Sequence, residues 1–449
     1  MERLMKTALA LQSSHDRTQS LADLFKPGDA PLFPDVQLSA QEALQHVETQ
    51  LALDGNPHRN LATFCQTQGG DELHSLMNTA IFRNLADSKN YPRTAELERR
   101  CIQMLGELWN APSLRTVVGT SATGSSEACM LGGLAAKGRW KARQKAKGIS
   151  PGQPNIVCGP VQTCWDKFCQ YWEIEKREIP MTPERLVMDP DSMLQAVDEN
   201  TICVVPTLGV TFTGLYEPVA ALSDALDWLE RKQGLSIDIH VDAASGGFLA
   251  PFCSPDLVWD FRLPRVKSIS ASGHKYGLAP LGLGWILWRT ADDLPHDYGF
   301  SVPYLGGSVA SVSLCFSRPA GQVLSQYYLF KRLGRDGYRQ IQLSCYEVAN
   351  HVSAEIESLG LFKLLHTGDP LSGIPAVSFQ ISQDQHPAFN LSDLSDALLT
   401  RGWHVPAFDL TGSMPHRKTM RLTIRHGMTF ELAQEFLSDL NASVNELTK

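Results

Sequence analysis

From about Leu61 to Trp288, short apolar runs alternate with longer amphipathic segments. The runs ICVVPTLGV (202–210), SIDIHVDAA (236–244) and LGLGWILW (281–288) are largely apolar on consecutive residues instead of on every second one. That pattern predicts strands buried on both faces of a mostly parallel sheet. The segment SEACMLGGLAAKGRWKARQKAKG (126–148) has the length and residue types of a connecting helix. Alternating strands and helices predict an α/β layered domain. After Pro319 a long helical stretch runs to Gly360, with breaks expected at Gly334 and Gly337. Beyond it the segments AVSFQIS, LSDALLTRGW, TMRLTI and ELAQEFLSDL repeat a βαβ-like pattern on a smaller scale, which predicts a small C-terminal α/β domain. The expected organisation is an N-terminal arm (1–60), a large domain (61–345) and a small domain (346–449).

Composition narrows the class. At 449 residues, 43% apolar and 20% charged, the chain is long enough for two or three globular domains with a sizeable core. A net charge of −8 without any Lys/Arg stripe gives no reason to expect a nucleic-acid partner. The opening MERLMKTALALQ has too short an apolar run for a secretory signal, and polar residues follow at once. No stretch approaches the ~20 apolar residues of a membrane span. Ten cysteines include no C-x-x-C pair, so free thiols in a reducing, cytoplasmic compartment are expected. There is no HExxH and no Cys/His cluster, and no metal is expected.

Three segments carry candidate chemistry. In Ser270–Gly277 (SASGHKYG), Lys275 follows a strand-like run and enters a glycine-flanked turn. A loop lysine is most often a solvated charge; one sheltered among small residues has a lowered pKa and becomes a nucleophilic amine. In HVDAASGG (240–247), Asp242 ends an apolar strand. It reads either as a helix N-cap or as a carboxylate at the ligand-binding end of a parallel strand. In GTSATGSSEA (119–128), a polar glycine-containing loop feeds a helix, a ready anion site whether or not an anion binds. Each signal is weak alone. An anion loop, an acid and a lysine, in that order within one α/β domain, suit pyridoxal 5′-phosphate (PLP): the lysine holds the cofactor as a Schiff base, and the acid keeps a proton on its pyridine nitrogen.

The motifs GSSEACMLGG, CGPVQTCW, VVPTLGVTFTG, HVDAASGGFLAPF, FRLPRVKSISASGHKYGLAPLG and FSRPAGQ resemble the glutamate decarboxylases, the bacterial ones above all, within the group II PLP-dependent decarboxylases. The resemblance runs from about Leu53 to Gly427. It implies the aspartate-aminotransferase-like PLP-dependent transferase fold (fold type I) and decarboxylation of L-glutamate to 4-aminobutyrate with uptake of one proton. It implies Lys275 as the Schiff-base lysine, Asp242 as the pyridinium partner and Gln162 as the residue over the ring face. Ser125, Ser126, Ser272 and His274 match phosphate contacts, and Ser317 matches one supplied by a neighbouring subunit. Thr211 and Ala244 match further cofactor-pocket positions. On the substrate side, Thr63 and Phe64 match a distal-carboxylate site, Asn84 and Asp87 match partners reaching in from the other subunit, and Arg421 matches the arginine for the α-carboxylate. A homodimer or larger homo-oligomer with shared sites follows from the same resemblance. Asp87 facing a substrate carboxylate cannot stay ionised along with it, which would favour acidic pH.

The chain also departs from the pattern. It closes on NELTK without the histidine-ended extension of bacterial acid-resistance enzymes, so a softer loss of activity at neutral pH is expected. The same end is acidic overall, and no calmodulin binding is expected. Ser308 to Cys315 differ from the usual loop at the mouth of the site. Other readings are a decarboxylase of aspartate or cysteine sulfinate, a PLP aminotransferase and a non-catalytic protein on the same fold. Thr63, Phe64, Asn84 and Asp87 argue against the first, His274 before Lys275 against the second, and the presence of Lys275 and Asp242 against the third.

Overall fold

The structure is a computed structural model. It describes Phe33 and residues 36–150, 152–302, 309–410 and 418–449. Most of the expected N-terminal arm, and Ser308 of the divergent loop, lie outside the described residues. The chain divides into two compact units, one ending at Gly55 and one spanning Asn56–Lys449. In the first, helix α1 (Ala40–Leu51) starts at a Ser39 cap whose hydroxyl accepts from the Glu42 N–H, while the Glu42 carboxylate accepts from the Ser39 N–H.

The second unit holds a seven-stranded sheet: β1 (Val118–Ala122), β2 (Asn155–Cys158), β3 (Glu175–Glu178), β4 (Thr201–Val205), β5 (Asp238–Asp242), β6 (Val266–Ser272) and β7 (Gly284–Trp288), in the order β1-β7-β6-β5-β4-β2-β3. Strands β3, β2, β4, β5 and β6 pair in parallel, and β7 runs antiparallel to both β6 and β1. Because β1 and β6 both oppose β7, β1 points the same way as the parallel set. The strands inside the expected apolar runs are fully buried: every residue of β4, β5 and β7 is inside. Helix α2 (Ser125–Ala146) packs on this sheet through small residues. A Cβ on Gly132 would lie 2.3 Å from the His240 ring of β5, and one on Gly133 2.4 Å from Phe168 of the helix Thr163–Tyr171, so the close approach of α2 to the sheet and to that helix requires glycine.

Two short strands, β8 (Phe300–Val302) and β9 (Val309–Ser311), form a hairpin. A long helical run, Gly321–Ser358, follows. Of the two glycines expected to break it, only Gly334 leaves helical geometry, at φ +57°. The C-terminal segments form a four-stranded sheet, β10 (Phe362–His366), β11 (Ala376–Ile381), β12 (Ala407–Asp409) and β13 (Lys418–Thr423), in the order β10-β11-β13-β12. All its pairs are antiparallel, not joined by the parallel crossover that a βαβ reading implies. Helices Leu391–Thr400 and Phe430–Thr448 supply buried leucines and Phe436 to its core. Leu61 joins that core and bonds through its backbone to His404 and Thr423, which anchors the segment leading to Thr63. Among the described residues, no helix is long and apolar enough to cross a membrane.

Candidate active site

Parallel strands deliver their carboxyl ends to one edge of the sheet, and ligands of α/β folds bind there. Here β1 leads into Thr123–Ser126, β2 into Gln162 and Cys164, β4 into Thr207, Gly209 and Thr211, β5 into Asp242 and Ala244, and β6 into His274 and Lys275. These residues, with Thr63, Phe64, Cys65 and Glu127, line one cavity of about 470 Å³. Two larger clefts, of about 660 and 790 Å³, open along residues 66–81 and hold neither Lys275 nor Asp242.

Asp242 is 3% exposed. Its backbone is bracketed by Pro206 and Leu208 (3.0 and 2.8 Å). One carboxylate oxygen accepts from the Ala244 N–H at 3.1 Å and the other from the indole N–H of Trp165 at 2.9 Å. Lys275 sits in the turn after β6, which closes with Leu278 at φ +66°, an uncommon conformation for a non-glycine residue. Burial pushes the Lys275 ammonium down and the nearby Asp242 opposes that shift. Its Nζ lies 4.9 Å from the centre of the Phe64 ring. A lysine held this way is the sheltered amine that Schiff-base chemistry uses.

Burial holds the His274 imidazole down at about 4, with Lys275 adding to the shift. Its Nδ1 accepts from the Leu283 N–H at 3.0 Å, which places the proton of the neutral ring on Nε2. The ring packs against Gly124, where a Cβ would lie 3.4 Å away. Gly124 caps helix α2 without any side-chain bond, so the first N–H groups of that helix, with the Ser125 and Ser126 hydroxyls, face the cavity. Beside them Ser272 pairs with Gly284, which packs on the Gly124 backbone. The buried Ser272 hydroxyl has no hydrogen-bond partner, nor has that of Thr207. Buried hydroxyls rarely stay unmatched. An anion with several acceptor oxygens at this helix entrance would satisfy the first.

Other expected residues take several positions. Gln162 lines the cavity while its side-chain oxygen caps the helix Thr163–Tyr171 through the Cys164 N–H (2.6 Å). Arg421, 7% exposed, is absent from the lining but lies 4.1 Å from the Phe64 ring. It donates to the carbonyls of Thr211 and Ala62, its Nε is buried and unmatched, and burial lowers its pKa to about 10. Asn84, Asp87 and Ser317 are not brought to the cavity of their own chain. Asn84 donates to the Ser317 hydroxyl at 3.1 Å, and Asp87 accepts from the Asn90 N–H at 3.1 Å.

A family model described as the pyridoxal-dependent decarboxylase conserved domain matches residues 34–382. This chain belongs to that family. It is 49% identical over 439 residues to a glutamate decarboxylase of Aliivibrio fischeri, covering 96% of this chain and 94% of that one. It is 42% identical to a glutamate decarboxylase beta of Listeria monocytogenes, over 94% and 89% of the two chains. The solved glutamate decarboxylase of Lactobacillus brevis superposes with a TM-score of 0.90 at 40% identity, over 96% and 97% of the chains. The resemblance read from the motifs is thereby borne out, as is the fold class.

The cofactor of this decarboxylase is pyridoxal phosphate, and the cavity fits it. An uncapped helix end and a spare Ser272 hydroxyl suit a phosphate, Ala244 offers a flat wall, and Asp242 and Lys275 suit the ring and its aldehyde. Two residues here escaped the sequence reading. Trp165 stood in a quoted motif, but its bond to Asp242 spans 77 residues and no local pattern announces it. Glu127 stood in the quoted anion loop, where nothing singled it out. Cys129, Cys164 and Asp242 also have donor atoms within 4.8 Å of one another, and burial holds the Cys129 thiol well above its ordinary pKa.

Proposed function

We propose that this enzyme decarboxylates L-glutamate to 4-aminobutyrate and CO₂. The observation that carries the reading is the placement of Thr63 and Phe64, anchored through Leu61, in the same cavity as Lys275 and Asp242, together with the identity to glutamate decarboxylases. Ser125, Ser126, Ser272 and His274 hold the cofactor phosphate, Gln162, Thr211 and Ala244 enclose the ring, and Lys275 and Asp242 hold its two reactive ends. Bound there, the cofactor supplies an electron sink for the pair left at Cα when the carboxylate departs. Asp242, oriented by the Trp165 and Ala244 N–H groups, would keep a proton on the pyridine nitrogen. Lys275, whose ammonium burial pushes down, would hold the cofactor's aldehyde and would be placed to move a proton at Cα. Arg421 binds the α-carboxylate through its unmatched Nε. The Thr63 hydroxyl accepts from the Cys65 N–H (3.1 Å), so its own proton is free to donate to the distal carboxylate.

The site is completed by a second copy. The family resemblance supports a homodimer in which Asn84, Asp87 and Ser317, which do not line their own chain's cavity, serve the partner's. Ten unpaired cysteines support a cytoplasmic location. Residues 61–345 and 346–449 act as the large and small domains. The test is to incubate PLP-loaded enzyme with L-glutamate at about pH 5 and about pH 7 and to follow CO₂ and 4-aminobutyrate, with L-aspartate in parallel and Lys275→Ala as control. Glutamate-dependent 4-aminobutyrate, lost in the variant, is the expected result. A PLP absorption band without CO₂ from glutamate would overturn the substrate and leave the cofactor.

A further inference from the structure

Glu127 is a carboxylate, 7% exposed, in the wall of a cavity built to receive a phosphate. A second negative charge there is unfavourable unless something else requires it. One oxygen bonds locally: as the third residue of α2, Glu127 reaches back past the Gly124 cap and accepts from the Thr123 N–H (2.8 Å) and hydroxyl (2.9 Å). The other oxygen reaches a distant segment and accepts from the Ser313 hydroxyl (2.7 Å), the Leu314 N–H (3.0 Å) and the Cys315 N–H (3.3 Å). Burial alone would raise this carboxyl, yet the five donors hold it below its ordinary pKa, so it stays charged. The segment it grips is tied again just beyond. The Arg318 N–H donates to Asn84 at 3.1 Å, and its guanidinium donates to the Ser121 hydroxyl at 2.8 Å, two residues before Thr123.

We propose that Glu127 is a positioning residue that latches Ser313–Cys315 to the turn Thr123–Ser126, fixing one wall of the cofactor site from two distant parts of the chain. The proposal rests on the reading that this turn holds the cofactor phosphate. A buried carboxylate with five donors suits the task because its two oxygens diverge: each can serve one wall, and neither need face the phosphate.

The test is hydrogen exchange on the full-length holoenzyme and on the cofactor-free protein, with Glu127→Ala, Glu127→Gln and Ser313→Ala, alongside the rate at which PLP leaves as read by its absorbance. In Glu127→Ala, exchange at the Leu314 and Cys315 amides should quicken about tenfold or more while β4 and β5 keep their protection. PLP should also leave several-fold faster. Ser313→Ala removes one of the five donors to Glu127 and also the second acceptor of the Cys315 N–H (3.2 Å), so its smaller rise is read at the Leu314 amide. Glu127→Gln keeps an acceptor for Leu314 and Cys315 but sets its NH₂ against the Thr123 N–H. It should release PLP faster while the two amides stay near wild type. Unchanged exchange at Leu314 and Cys315 overturns the latch, and so does a rise spread evenly over the sheet. If Glu127→Ala does not fold, Ser313→Ala decides at the Leu314 amide, which bonds to Glu127 and not to Ser313. Exchange in the cofactor-free protein reports the latch even if the phosphate assignment fails, and that assignment is judged separately by whether wild type binds PLP at all.

Discussion

The indole N–H of Trp165 donates to the carboxylate of Asp242 at 2.9 Å, entirely inside the protein. Trp165 is held in turn edge-on by Phe168 and His240, at ring-centre distances of 5.6 and 5.3 Å. A hydrogen bond to a buried charged group contributes roughly 1.5–3 kcal/mol. Trp165→Phe keeps most of the packing and removes the donor, so the Asp242 carboxylate loses one of its two hydrogen bonds and is less firmly oriented. The expected outcome is about a ten- to hundredfold lower kcat with a smaller change in KM, and weaker PLP retention. Steady-state kinetics with a cofactor titration check it; wild-type values on both would remove Trp165 from the support of Asp242.

Glu217 gives a pH prediction with a definite sign. It is 2% exposed, and burial raises its pKa from 4.5 to about 7, against the Met188 and Thr207 N–H groups that donate to it at 2.7 Å each and with Asp242 and Glu178 adding to the rise. A carboxyl whose folded pKa is raised binds its proton more tightly when folded. Its contribution to stability is fully present below the ordinary carboxyl pKa and is lost as pH rises through about 7. Over that window the loss is roughly 3 kcal/mol. Glu217→Gln cannot titrate, so the difference in stability between wild type and variant should shrink from about pH 4.5 to about pH 7.5. Denaturant unfolding at several pH values measures it, and a constant difference would contradict the assignment.

Gly132 tests the packing of helix on sheet. A methyl group there would meet the His240 ring, which is fixed by the hydroxyls of Ser268 (2.7 Å) and Ser270 (3.1 Å). Since the ring cannot leave without breaking those bonds, Gly132→Ala should destabilise the enzyme by about 1–3 kcal/mol despite alanine's better helix propensity. A fall in the unfolding midpoint, with little change in the denaturant slope, is the expected reading.

How far the sequence revealed these sites depends on the range of the interactions. Continuous apolar runs such as ICVV announced buried parallel strands, because two buried faces leave no reason for alternation. Lys275, Asp242 and the Thr123–Ser126 loop were legible since each follows a strand directly, and parallel strands bring such residues to one edge. The antiparallel pairing of β11 with β13 was not legible: short amphipathic pieces carry no mark of strand direction. Trp165 and Glu127 were missed for a related reason. Their partners are chosen by tertiary approach, 77 and 186 residues away for Asp242 and Ser313, and nothing in the local pattern encodes that choice.

Arg421 separates charge from geometry. Its guanidinium already spans the carbonyls of Thr211 and Ala62, which joins the loop after β4 to the segment that carries Thr63. Its face lies over Phe64, and its buried Nε has no hydrogen-bond partner. Lysine keeps the charge but has one nitrogen and no plane, so it cannot hold both carbonyls and a carboxylate together. Arg421→Lys should therefore lower kcat/KM for glutamate about a hundredfold or more, as loss of charge-assisted bonds worth roughly 3 kcal/mol implies. The fall should appear in kcat as well as KM, because the α-carboxylate is the group that leaves and its direction sets the reaction. If Arg421→Lys raises KM alone, the arginine supplies attraction without orientation, and the α-carboxylate must be aligned by other groups in the cavity.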